Sequence, residues 1–170
     1  MHDTLHDASS SPPAHAAAPT IYAATLPFDA RRVGAAAVYC ADGRYGEQMD
    51  QFLHEGLGLP RYDRVAVPGG AGCLAGHATY ERAALERQLR FLIEGHELTR
   101  IVLIAHFDCG FYKHRVRLRA GRTIAQQQAI DLKKSADEIR LWYPHVRVEA
   151  YYANPADGRV TFQRWGDTTA

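Results

Sequence analysis

Residues 101–110 read Ile-Val-Leu-Ile-Ala-His-Phe-Asp-Cys-Gly. Five apolar residues without alternation, Ile101 to Ala105, have the pattern of a strand covered on both faces, and such strands belong to parallel sheets flanked by helices. The run passes straight into His106, Phe107, Asp108 and Cys109, so side chains capable of chemistry stand where the strand ends. Val33 to Tyr39 is equally apolar and unalternating, and it ends at Cys40.

Outward from these two strands the chain alternates strand and helix. After a loop from Ala41 to Gly46, Met49, Phe52 and Leu53 recur at helical spacing, and Gly56, Gly58 and Pro60 stop that helix. A second strand follows at about Arg64 to Val67. The Gly-rich stretch Pro68-Gly69-Gly70-Ala71-Gly72 leads to a helix from about Ala78 to Glu94, with an apolar stripe of Ala78, Leu85, Leu89, Leu92 and Ile93. The polar loop after Gly110 carries no clear period. At Thr123 a capping box with Gln126 opens a helix whose stripe is Ala125, Ala129, Leu132, Ala136, Ile139 and Tyr143, closed by Pro144. Val146, Val148, Ala150 and Tyr152 alternate as a fourth strand, and a turn around residues 154–158 returns the chain as an edge strand, Val160 to Arg164. The expected fold class is therefore α/β: one domain with a mainly parallel four-stranded sheet in the order 2-1-3-4, flanked by helices, and an antiparallel fifth edge strand. In that order the first and third strands are neighbours at the topological switch point, where ligands gather at the carboxyl ends of strands. Cys40 would then meet His106 and Cys109 at one mouth.

Composition bounds the partners. With 170 residues, 46% of them hydrophobic, the chain is long enough for one well-filled core. Lys and Arg number 20 against 19 Asp and Glu, a net charge of +1, so no basic field attracts nucleic acid. The apolar runs fall far short of the ~20 residues of a membrane span, and the N-terminus lacks the layout of a signal peptide, so the expectation is a cytoplasmic protein without a membrane partner. Residues 1–20 are rich in Ala, Pro and Ser and bury little, which predicts a flexible arm ahead of a domain at 21–170; Ile21, Tyr22, Leu26 and Phe28 offer the alternative of an anchor on a partner subunit. Three cysteines, Cys40, Cys73 and Cys109, are too few for a disulfide framework and direct attention to metal binding or catalysis.

Two thiols and an imidazole form a donor set suited to zinc, and three protein ligands leave a fourth position for water. The plain alternative makes Cys40 and Cys109 small buried hydrophobes and His106 a loop-end histidine. Asp42 and Arg44 follow Cys40 at two and four positions, where Asp42 would accept a hydrogen bond from a metal-bound water or compete as fourth ligand, and Arg44 would orient it. A surface salt bridge is the plain alternative for that pair.

Cys40, Asp42 and Arg44, followed by His106 and Cys109, resemble the C-x-D-x-R and H-x-x-C motifs of the β-class carbonic anhydrases. The resemblance extends loosely from Val33 to Phe162. It implies that Cys40, His106 and Cys109 bind zinc, that Asp42 and Arg44 are the catalytic dyad, and that the sheet is the family's. It implies a homodimer or an assembly of dimers, with carbon dioxide and bicarbonate as the small-molecule partners. The implied reaction is reversible hydration of carbon dioxide by a metal-bound hydroxide, with activity rising through alkaline pH because two thiolates leave the bound water less acidic. His54, His77 and His114 are candidate proton carriers.

The sequence departs from the family at Phe107 and Asp108, which fill the H-x-x-C gap, with Asp108 a further negative charge near the metal. It departs also at Gly69 and Gly70, and in its short lead in place of a helical arm. These departures keep open a zinc-binding protein without turnover, or a hydrolase of carbonyl sulfide or carbon disulfide. Cys109 and Arg115 also have the C-x5-R spacing of cysteine-dependent phosphatases, although bulky residues stand between them and no histidine precedes Cys109. Cys73 is read as a buried structural thiol, with redox sensitivity or pocket lining as alternatives.

Overall fold

The computed structural model describes residues 19–165. The chain divides into two units, Met1–Arg31 and Arg32–Ala170. In the first, Asp29 grips the Arg31 guanidinium (Nε to Oδ1 3.0 Å, Nη2 to Oδ2 2.6 Å), and Ile21, Tyr22, Leu26 and Phe28 are exposed. The arm expected at 1–20 lies outside the described residues except for Pro19 and Thr20.

The second unit carries the strands β1 (Ala35–Tyr39), β2 (Asp63–Ala66), β3 (Arg100–His106), β4 (Arg147–Ala156) and β5 (Arg159–Arg164). Its helices are α1 (Gly46–Gln51), α2 (Thr79–Gly95), α3 (Gly110–His114) and α4 (Ile124–Trp142). The sheet order is β2-β1-β3-β4-β5, with every pair parallel except β4 and β5. This is the architecture expected from the alternation of strand and helix patterns.

Both faces of the sheet are covered, which explains the unalternating strands. Ala36, Val38, Ile101, Leu103, Val148 and Ala150 pack on Leu85, Leu89 and Ile93 of α2 and on Leu132, Ala136 and Ile139 of α4. Ala35, Ala37, Tyr39, Val102, Ile104, Tyr151 and Ala153 pack on Met49 of α1 and Leu53 of the turn that follows it. Full burial of each Leu, Ile, Val or Met contributes about 1.5–3 kcal/mol. The capping box at Thr123 is formed, with Gln126 N–H donating to Thr123 Oγ1 at 3.2 Å and Thr123 N–H to Gln126 Oε1 at 2.9 Å.

The expected fourth strand differs in pattern. β4 is buried continuously from Val148 to Ala153 rather than alternating. Glu149 falls inside because Arg100 pairs with it, Arg147 reaches it at 2.8 Å, and the Tyr151 hydroxyl donates to it at 3.2 Å. β4 also runs on through Asn154 and Pro155, so the turn shrinks to Asp157 and Gly158, at φ 50° and 73°, the left-handed pair that a two-residue hairpin demands. The first helix ends in a π-helical turn, Phe52–Gly56. The Gly-rich stretch tightens into a 3-10 turn, Gly70–Cys73, clamped by Ser135 Oγ donating to the Ala71 carbonyl at 2.8 Å and Lys134 Nζ to Ala75 at 2.8 Å.

Candidate metal centre

β1 and β3 are adjacent, with Tyr39 in register with Ile104, so their carboxyl ends open side by side. The ladders continue past both ends: Ala41 N–H donates to the Val67 carbonyl at 3.2 Å, and Phe107 N–H to Ala153 at 2.9 Å. Cys40 and His106 are thus fixed by sheet hydrogen bonds. Cys109 caps the amino end of α3, a helix at the start of the stretch that the sequence pattern gave as a polar loop without a clear period.

The donor atoms of Cys40, His106 and Cys109 lie within 4.8 Å of one another, and among the described residues this is the one such group of three. His106 is fully buried and Cys109 is 1% exposed. The two sulfurs are 3.8 Å apart. His106 Nδ1 pairs with the Phe107 carbonyl at 2.8 Å, which requires the proton on Nδ1 and leaves Nε2 as a bare acceptor. Nε2 is buried and has no hydrogen-bond partner. An orphaned buried acceptor costs about 1–3 kcal/mol, and a metal ion is the partner that satisfies it beside two thiols. The residues therefore fit a soft or borderline metal.

Electrostatics prepares one thiolate. The hydrogen bonds that the Cys109 thiol and the Gly69 amide, 3.3 Å from Sγ, donate to Cys40 hold it below the usual thiol range against the effect of burial. Cys109 is pushed up by its hydrogen bond to Cys40, by burial and by the Cys40 charge. The two sulfurs thus share one proton, which a bound cation would replace.

Asp42 and Arg44 are paired as a fork. Arg44 Nε donates to Asp42 Oδ1 at 3.0 Å and Nη2 to Oδ2 at 2.6 Å, while Arg44 N–H closes the turn on Oδ1 at 3.1 Å. The Arg44 hydrogen bonds bring the Asp42 carboxyl down to about 2. Its carboxylate is outside the group of three donors.

The surroundings contain residues that the motifs did not signal. The Tyr45 ring packs tilted against His106 (centroids 4.4 Å apart, planes at 47°) and its hydroxyl donates to the Phe107 carbonyl at 2.9 Å. Gln128 Nε2 donates to the His106 carbonyl at 3.0 Å. Asp131, buried on α4, accepts from Tyr112 at 2.8 Å and Gln127 at 2.9 Å and pairs with His77 at 2.8 Å. The signal for Gln127, Gln128, Asp131 and Ser135 was a polar stripe beside the apolar one, which reads as a solvated face in a sequence. Asp108, expected as added negative charge, is paired with Lys113 and Arg44.

Of the other singled-out residues, His54 and His114 are exposed and stand apart from the three donors. Cys73 is buried, donates to the Pro68 carbonyl at 3.0 Å, and burial pushes it up to about 11. The phosphatase-like spacing does not build a phosphate cradle: residues 110–114 are helical, the Phe111 and Tyr112 amides are turned to the Cys109 sulfur itself, and Arg115 pairs with Glu81 at 3.4 Å.

A mainly parallel α/β sheet with two thiols and an orphaned imidazole at its switch point defines a class of protein with a group that could hold a metal ion. The family model described as "Putative carbonic anhydrase" matches residues 31–162, and the chain belongs to that family. Among solved structures it is similar in fold to β-carbonic anhydrase isoform I of Trichomonas vaginalis (TM-score 0.55, 17% identity, 85% of this chain and 89% of that one). It is also similar in fold to a carbonic anhydrase from Glaciozyma antarctica (TM-score 0.51, 19% identity, 81% and 85%). Among curated relatives it is similar to uncharacterized proteins of Rickettsia conorii (28% identity, 67% of this chain, 63% of that one) and Rickettsia bellii (24%, 67% and 72%). The matched region therefore spans less than two thirds of the Rickettsia conorii protein. Among the described residues no helix is long and apolar enough to cross a membrane.

Proposed function

We propose that the protein is a zinc-dependent lyase that reversibly hydrates carbon dioxide to bicarbonate. The buried, unpartnered His106 Nε2 beside the two sulfurs carries this reading. Cys40, His106 and Cys109 would hold zinc, which would supply the Lewis acidity that makes water nucleophilic at alkaline pH. The chain's own groups do the rest. The Phe107 carbonyl fixes the His106 tautomer, and the Gly69 amide donates to the Cys40 sulfur. Asp42, held ionised by Arg44, accepts a hydrogen bond from the O–H of water or bicarbonate and so orients it. Family membership and the balanced charge support a cytoplasmic homodimer or assembly of dimers behind an N-terminal arm at residues 1–20, acting on a small molecule and binding neither nucleic acid nor membrane.

Stopped-flow hydration at alkaline pH on protein of measured zinc content tests the proposal. The expected result is a zinc-dependent rate that Cys109→Ser abolishes. A fully loaded protein with no rate above buffer would refute hydration and leave a metal-binding member of the family.

A further inference from the structure

Arg44 does more than pair with Asp42. Its Nη1 donates to Asp108 Oδ2 at 3.3 Å and its Nη2 to the Asp108 carbonyl at 3.2 Å. Asp108 has φ 60°, a left-handed conformation that Asp tolerates, and the one residue offers both its carbonyl and its carboxylate to the same guanidinium. Its other carboxylate oxygen pairs with Lys113 of α3. Asp42, Arg44, Asp108 and Lys113 thus form a chain of alternating charge across two loops, one after Cys40 and one between His106 and Cys109.

Apart from its bonds to Asp108, the Asp42–Arg44 fork is a local structure spanning two positions, on side chains 18% and 59% exposed. The Tyr45 hydroxyl also ties the loops together, through the Phe107 carbonyl, and the Arg44 guanidinium lies over its ring at 5.9 Å, a contact that leaves the direction of the Arg44 donors to Asp42 and Asp108. Ion pairs this exposed contribute about 0–1 kcal/mol to stability, so their consequence here is orientation.

We propose that Asp108 is a positioning residue: it anchors Arg44 to the loop bearing His106 and Cys109, and so keeps the Asp42 carboxylate on Arg44 and off the fourth position at the metal. This rests on the metal site of the proposed function. The same residue that reads in the sequence as an added charge weakening the metal acts instead as the fixed end of the dyad.

The test uses Asp108→Gly, which removes the carboxylate and keeps the left-handed backbone without steric cost, and Asp108→Asn, which keeps an acceptor for Arg44. Each is made alone and with Asp42→Ala, in cobalt-substituted protein, and thiocyanate binding at the metal is followed by visible absorption. Asp108→Gly is expected to weaken thiocyanate binding at least about threefold, within the range for contacting residues, because the released Asp42 competes for the position. Asp108→Asn falls between, and the effect disappears in the Asp42→Ala background. An equal change in both backgrounds, or none in either, overturns the proposal.

Hydration assays on the same wild-type protein separate the two readings. An Asp42-dependent shift without turnover sinks hydration alone; turnover with an Asp42-independent shift sinks the anchoring alone. Metal-free protein gives a further measurement through nitrogen-15 spectra of the Arg44 side chain. Faster guanidinium rotation in Asp108→Gly supports the anchor, and unchanged rotation overturns it.

Discussion

Gly70→Ala tests how the Gly-rich turn supports Cys40. Gly70 has φ 52°, and a Cβ added there would lie 2.9 Å from the Tyr39 carbonyl carbon, 3.0 Å from the Cys40 nitrogen and 3.1 Å from Tyr39 Cα. All three are backbone atoms of the strand end and have no rotamer with which to yield. The left-handed conformation costs an alanine about 1–2 kcal/mol, and overpacking costs about 1–3 kcal/mol, giving a destabilisation of about 2–5 kcal/mol. Gly58→Ala is the control, because Gly58 has φ 65° with nothing within 4 Å of an added Cβ, and so isolates the conformational cost of about 1–2 kcal/mol. Urea unfolding of metal-free protein measures both. Because the clash falls on the peptide joining Tyr39 to Cys40, Gly70→Ala is also expected to lower zinc affinity in chelator competition, with Gly58→Ala unchanged. If Gly70→Ala costs no more than Gly58→Ala, or leaves zinc affinity intact, the turn does not brace Cys40 and the reasoning fails.

Ile139→Ala, at a fully buried position between α4 and the sheet, is expected to cost about 2–5 kcal/mol in urea unfolding. Glu149→Ala leaves Arg100 without its buried partner and is expected to cost about 3 kcal/mol near neutral pH. Burial alone would raise the Glu149 carboxyl, but Arg100 and then Arg147 outweigh it and hold it below the usual value. Its stabilisation is therefore full above the unfolded pKa of about 4.3 and lost as pH falls through the lower folded value, so the stability difference between wild type and Glu149→Gln is expected to shrink in that acid window. Zinc at 100 times its Kd is expected to stabilise the wild type by about 2.7 kcal/mol, and His106→Ala to lose that increment in thermal melts with and without chelator.

The sheet was legible in the sequence because its strands are covered on both sides: runs such as Ala35–Val38 and Ile101–Ala105 leave no solvent face to interrupt them. Their order followed from the helical patterns between them, and the order placed Cys40 beside His106 and Cys109. α3 escaped because Gly-Phe-Tyr-Lys-His spans little more than one turn, too short to display a period. Glu149 escaped for another reason. Its burial depends on arginines from the start of β3 and from β4 itself, and on Arg164 of β5 at 3.6 Å, pairings that exist only once the strands are side by side. Gln128 is similar, since its partner is a backbone carbonyl on another element. The composition of the donor set was visible; the tie from Arg44 to Asp108 required the two loops to be brought together.

The energetics of the centre argue that it is kept for use rather than for stability. Two sulfurs 3.8 Å apart would repel by about 4 kcal/mol if both were ionised at an effective dielectric of about 20. The unpartnered imidazole nitrogen adds about 1–3 kcal/mol of unmet desolvation. Three small apolar residues in place of Cys40, His106 and Cys109 would carry neither cost, and the well-packed strands on which they sit would accept them. A dication removes both costs together, by neutralising two thiolates and taking the lone pair of Nε2. Asp42 on the same ion would add a third negative charge, whereas on Arg44 it is matched one to one. Charge balance thus favours the arrangement seen, in which the Asp42 carboxylate is paired with Arg44 and lies outside the group of three donors.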